Sequence, residues 1–159
     1  MTAFLGVIAL WMLTACAIGQ VVNHSFGFDT RRDGQDALIL DYRYGTSKLP
    51  VRAPEAAVQR GETFTFNSVT GPMVRGDSLY VKWRIKTTGQ IYEDTVDLRN
   101  RLPEDITDHK VYFMVKGSQL IVYLIPPDTK KRPPNKEPTG PRAYSHLDVV
   151  TIYPDQAKH

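Results

Sequence analysis

The chain has 159 residues, with 20 Lys and Arg against 17 Asp and Glu, a formal net charge of +3 and one cysteine. That length suits a single domain and is enough to bury a core without covalent staples. The interleaved, nearly balanced charge leaves no electrostatic footprint for nucleic acid, and a lone cysteine excludes an intrachain disulfide.

In chain order, Ala3 to Leu13 is an apolar run of 11 residues. A helix crossing a bilayer takes about 20 residues, so the run has instead the length of a secretory signal's hydrophobic region. It ends in Leu13-Thr14-Ala15-Cys16, which resembles a bacterial lipobox. A lipidating enzyme needs a thiol to alkylate, and a peptidase cutting before that cysteine needs small side chains ahead of it. The resemblance implies removal of residues 1–15 and a lipid on Cys16. Each buried acyl CH₂ adds roughly 0.8 kcal/mol, so two or three chains hold a protein firmly. Ala17, not Asp, follows the cysteine; by the same resemblance the destination is the periplasm, on the inner leaflet of the outer membrane. Met1 to Phe4 carries no Lys or Arg, a departure from the usual positive start of a signal.

Residues 16–36 then read as the lipidated cysteine and a polar tether, with room for a first strand near Ser25-Phe26-Gly27-Phe28. Residues 37–159 read as a single β domain. Ala37 to Tyr44 is rich in β-formers, and Glu62 to Asn67 alternates threonine with phenylalanine. Leu79, Val81, Trp83 and Ile85 alternate with Tyr80, Lys82, Arg84 and Lys86, the pattern of a half-buried antiparallel strand. Thr88-Gly89 turns the chain into Ile91 to Leu98, giving a hairpin. Lys110 to Lys116 and Gln119 to Ile125 flank Gly117-Ser118, a pair suited to a type II′ turn. Leu147 to Tyr153 supplies a last strand before Pro154. Helix signals are confined to Pro54 to Arg60 and a turn or single helical turn at Pro103 to Asp108. The expected fold is all-β: an antiparallel sandwich or open barrel of about six to eight short strands with little helix.

The loop at 126–142 interrupts this spacing. It holds six of the 11 prolines and five basic residues against two acidic ones. Proline makes such a segment stiff and extended, and long irregular loops are functional or disordered. Lys130, Lys131 and Arg132 make it a mobile linker, a partner-docking arm or a contact for anionic headgroups. An acidic group runs through Glu93, Asp94, Asp97, Glu104, Asp105 and Asp108; on a strand Glu93 and Asp97 share a face and Asp94 takes the other. It reads as a solvated rim or a partner-binding patch. Tyr80, Tyr92 and Tyr112 read as outward aromatics, fit for an interface or for cross-strand pairing.

Gly76-Asp77-Ser78-Leu79 spells the GDSL esterase signature, in which the serine is the nucleophile. Here the serine enters an alternating strand rather than a strand-to-helix turn, and no Asp-x-x-His follows to complete a triad. Gly-Asp-Ser is ordinary turn chemistry, so no catalytic residue is assigned. His24, His109, His146 and His159 show no metal-ligand spacing, and no cofactor or metal is expected.

The stretch from Gly76 to Pro127, with Val149 to Asp155 near the end, resembles small lipoproteins linked to type VI secretion lipase effectors. More narrowly, it is similar to immunity lipoproteins that protect a bacterium from its own phospholipase. The resemblance implies a periplasmic, membrane-anchored, non-enzymatic protein whose partner is a secreted phospholipase toxin, bound so as to occlude its active site. The partner-binding candidates are Tyr92, Glu93, Asp94, Asp97, Glu104, Asp105 and Asp108, with Lys130, Lys131 and Arg132 as the basic alternative. A phosphate pocket that is electropositive favours the acidic set by complementarity. The rival reading is an envelope or secretion-system accessory lipoprotein with an assembly role.

Overall fold

A computed structural model of the chain describes residues 19–155. The leader at 1–15 and the lipidation expected at Cys16 lie outside the described residues. Eight strands form two sheets. β1 (Val21–Asp29), β3 (Phe66–Val74), β6 (Lys110–Lys116), β7 (Gln119–Ile125) and β8 (Val150–Tyr153) make a five-stranded sheet in the order β3-β1-β6-β7-β8. β2 (Ala37–Tyr44), β4 (Ser78–Ile85) and β5 (Ile91–Asp97) make a three-stranded sheet in the order β2-β4-β5. Neighbours are antiparallel except β1 and β6, which run parallel. The expected all-β fold takes the sandwich form.

The two hairpins follow the sequence pattern. Leu79, Val81, Trp83 and Ile85 are all buried, and Trp83 pairs with Tyr92 across to β5. Gly117 has φ 57°, whereas Ser118 is not among the residues of positive φ. That combination fits the II′ turn, whose first central residue needs the left-handed region that glycine adopts freely. The short helix α1 (Glu55–Gln59) falls inside the expected Pro54 to Arg60. Pro103 to Asp108 makes turns without a helix.

Three expectations are corrected. The stretch at 16–36 is no tether from Val21 to Asp29: the strand for which Ser25 to Phe28 left room extends over all of β1, which lies between β3 and β6 and buries Phe26 and Phe28 almost completely. Its alternation is masked in sequence because the second of its four inward slots is filled by His24. The strand expected at Glu62 to Asn67 is shifted to Phe66–Val74. Phe64 makes only a single bridge to Ile39 of the other sheet as the chain crosses over, and Pro72 is tolerated because β3 is an edge strand. The last strand is shorter than Leu147 to Tyr153, since Leu147 bridges to Lys131 instead.

The core between the sheets is aromatic at its centre. Phe26 stacks on Tyr44 with centroids 4.9 Å apart, and Phe28 on Phe113 at 4.6 Å. A second cluster lies on the outer face of the five-stranded sheet. There Leu147 and Val149, on the return of the proline-rich excursion, cover Tyr112, Tyr123 and Ile125. Residues 126–149 thus act as a strap. They are pinned by backbone bonds from Arg132 to His146 (2.9 Å) and from Asp148 to Lys130 (3.1 Å), and by an ion pair between Lys136 and Asp148.

His24 is fully buried and its ring is held by two hydrogen bonds, the second relayed onward through Tyr44. A carbonyl only accepts, so Nδ1 carries the proton and donates to Val22 O at 2.8 Å. Nε2 then accepts from the Tyr44 hydroxyl at 2.9 Å, and the Tyr44 oxygen accepts from the Gly76 N–H at 3.0 Å. Burial holds the imidazole pKa below its ordinary value. Near pH 6.5 the unfolded chain takes up a proton that the folded chain refuses. Stability contributed by neutral His24 is therefore full above that pH and lost as pH falls below it. Urea midpoints followed from about pH 7.5 to about pH 5 are expected to decline for the native chain and to decline much less for His24→Gln, which keeps a donor and an acceptor but does not titrate. Equal slopes would refute this.

Candidate functional site

The strap covers part of the outer face of the five-stranded sheet, whereas no described segment forms a second hydrophobic cluster over the outer face of the three-stranded sheet. The outward side chains of this sheet line up across strands as three rows: Arg43-Tyr80-Thr95, Asp41-Lys82-Glu93 and Leu38-Arg84-Ile91. Tyr80 is central. The Arg43 guanidinium lies over its ring at 5.6 Å, and its hydroxyl donates to Glu93 Oε2 at 2.9 Å. Loss of hydration and the bond to a carboxylate push the Tyr80 pKa up to about 12, so the phenol stays a donor. Beside Arg43 a depression of about 400 Å³ runs to α1, lined by Asp41, Arg43, Arg52 and Glu55 over Val58. β5 closes the sheet as its edge strand, with Ile91 54 % exposed.

The acidic candidates do not converge. Glu93 and Asp97 are exposed together on β5, as the alternation predicted, and Asp94 turns the other way to accept from the Tyr153 hydroxyl at 2.7 Å. Asp97 is held by Arg99, whose guanidinium hydrogen bonds pull its pKa down to about 2. Asp105 accepts from the Thr107 N–H at 2.8 Å and shapes its own turn. Asp108 accepts from Asn23 at 3.2 Å and has φ 58°. Glu104 is exposed near Arg75 and Arg99. Most of these carboxylates therefore serve turns and local ion pairs, which dilutes the acidic patch read from sequence.

Tyr92 and Tyr112 are not outward aromatics. Tyr92 lies 5.8 Å from Trp83 against the main core, because residues directly opposite across a ladder share a face. Tyr112 is buried under the strap, its hydroxyl on Asp33 at 3.2 Å. In the basic loop, Arg132 donates to Ser145 O at 2.9 Å and to Lys136 O, holding the strap in shape. Lys130 and Lys131 are exposed. Ser78 opens β4 and donates to Asp77 Oδ1 at 3.2 Å; among the described residues no histidine bonds to it.

Arg43, Arg52 and the depression beside α1 were not singled out in the sequence. The only signal available was the alternation in Ala37 to Tyr44, and a bulge between Ile39 and Asp41 breaks its parity. The fold and surface define a two-sheet β-sandwich with one sheet face left open. No protein-family model, curated protein or solved structure matches the chain.

Proposed function

We propose that this is a periplasmic lipoprotein, anchored through Cys16, that acts by binding: an immunity protein that occludes the active site of a type VI secretion phospholipase effector. The observation that carries the binding reading is the open face of the three-stranded sheet. Tyr and Arg are the residue types that dominate interface energetics, and here Tyr80 stands on the middle strand with Arg43 stacked over it from β2, beside a depression able to take a partner's side chain. Tyr80 is held by its bonds before any partner arrives, which lowers the ordering cost of association. A standard inhibitory interface buries about 1,600 Å² in total, within reach of this face and the adjoining edge of β5. The rows mix both signs of charge, so the partner surface is expected to be mixed rather than purely basic.

The test is co-expression of the full-length chain with a phospholipase toxin encoded beside its gene. Survival should depend on the chain. Tyr80→Ala is expected to weaken the complex by about 2 kcal/mol or more, roughly thirtyfold in Kd. Cys16→Ser should abolish incorporation of labelled palmitate and reduce protection. A chain that co-purifies with an envelope assembly and leaves toxicity unchanged would favour the accessory-lipoprotein role instead.

A further inference from the structure

The outer face of the five-stranded sheet is covered over β6 and β7 and bare over β1 and β3. At the boundary lies a cleft of about 340 Å³. Ala143 and Tyr144 of the strap form one wall. Phe66 forms the other, 50 % exposed, with the Arg31 guanidinium 4.5 Å from its ring centroid. The floor is low between the walls, because Gly27 lies between Ser68 on β3 and Tyr112 on β6 in the ladder.

Three cations, Arg31, Arg32 and Lys110, line the cleft against one carboxylate, Asp29. Arg31 already occupies that carboxylate, donating to its two oxygens at 2.8 and 2.9 Å. Arg32 shares the same carboxylate as a looser ion pair, its Nε 3.8 Å away and beyond hydrogen-bond distance. Lys110 Nζ donates to the Tyr144 hydroxyl at 3.0 Å and reaches Ser68 Oγ at 3.4 Å, and makes no ion pair among the described residues. Two hydroxyls satisfy part of its hydrogen bonding without neutralising its charge. A concave site with three cations to one carboxylate, between aromatic walls, selects an anion attached to an apolar body.

The shape extends the chemistry. The bare strands lead away from the cleft over Ser25 and Thr70, whose hydroxyls share a bond of 2.8 Å. The nine residues of β1 make this floor roughly 30 Å long at about 3.3 Å per residue. The cleft sits at the Asp29 end of β1, away from Gly19. A bilayer holding Cys16 would lie at the opposite end, which disfavours a headgroup of that membrane; only this last preference depends on the anchor proposed above.

We propose that this cleft binds an acidic segment of a protein partner. The segment lies extended over β1 and β3, with a carboxylate on Lys110 and Arg32 and an aromatic or apolar neighbour against Phe66. This surface is on the opposite sheet from Tyr80, and its test needs no toxin, so either proposal can fail alone.

The probe is a fluorescent peptide of about ten residues, matched to the strand length, alternating Glu and Ser around one Phe. Its anisotropy is followed with the full-length chain in detergent micelles. Saturable binding is expected, weakened roughly tenfold or more by Lys110→Gln with Arg32→Gln, and also weakened by Phe66→Ser. Lys110→Arg should retain it, and Lys48→Gln with Arg60→Gln, which remove the same charge elsewhere, should leave it unchanged. Unaltered melting of each variant establishes that the fold survives. Absence of saturable binding, or equal weakening by the two charge-removing pairs, would overturn the proposal. So would displacement by inorganic phosphate at matched concentration, or tighter binding of phosphatidylglycerol vesicles lost in the same variants.

Discussion

Gly76→Ala is expected to destabilise the domain by about 2–5 kcal/mol, whereas Ser78→Ala, two residues on, should change stability by less than about 0.5 kcal/mol. A Cβ at Gly76 would lie 2.3 Å from Tyr44 Cε2 and 2.7 Å from two further ring carbons. The ring has no easy retreat. It stacks on Phe26 at an interplanar angle of 3°, and its hydroxyl holds both the Gly76 N–H and His24 Nε2. Moving it overpacks the core and leaves buried polar groups without partners. Ser78, by contrast, is half-buried with its hydroxyl on exposed Asp77. Chemical denaturation of the two variants measures the contrast directly. Loss of an esterase activity in Ser78→Ala at unchanged stability would reverse the reading of this motif as a turn.

Trp83→Ala should cost about 3–5 kcal/mol, the range for truncating a large buried aromatic. In a domain of this size that corresponds to a fall in Tm on the order of 10 °C or more. Trp83 is 1 % exposed and packs near Tyr92, and its indole Nε1 donates to Gly117 O at 2.8 Å. That bond ties the three-stranded sheet to the β6–β7 turn of the other sheet, so truncation removes both filling and a link between layers. Trp83→Phe keeps most of the filling and should cost less than Trp83→Ala. Calorimetry checks both, and a loss below about 1 kcal/mol for Trp83→Ala would contradict close packing at this position.

Much of the fold was legible where strand partners are neighbours in sequence. In β4 and β5, and again in β6 and β7, each strand's inward residues repeat with period two and a glycine turn fixes the register. The candidate surface was legible only in part. Tyr80, Glu93 and the outward parity of Asp97 followed from alternation. Arg43 did not, because the bulge in β2 shifts the parity before it. Nor did the role of Asp94, whose partner Tyr153 is 59 residues away. Arg31 and Arg32 sat in a stretch that resembled a tether, and nothing local linked them to Phe66 or Lys110.

By itself the sequence determined that this is a β protein whose hairpin strands each bury at least one face, because alternation is a local consequence of the pleat. It also determined that any chemistry reserved for Cys16 depends on one thiol. Only the tertiary structure decided that β1 belongs to the core, that the proline-rich loop is a strap over a second cluster, and which sheet faces stay open. Those outcomes rest on pairings between distant segments: β1 with β3 and β6, and Lys131 with Leu147. Backbone hydrogen bonds carry no side-chain identity, so such pairings leave little mark on the local pattern, yet they place the cations and aromatics side by side.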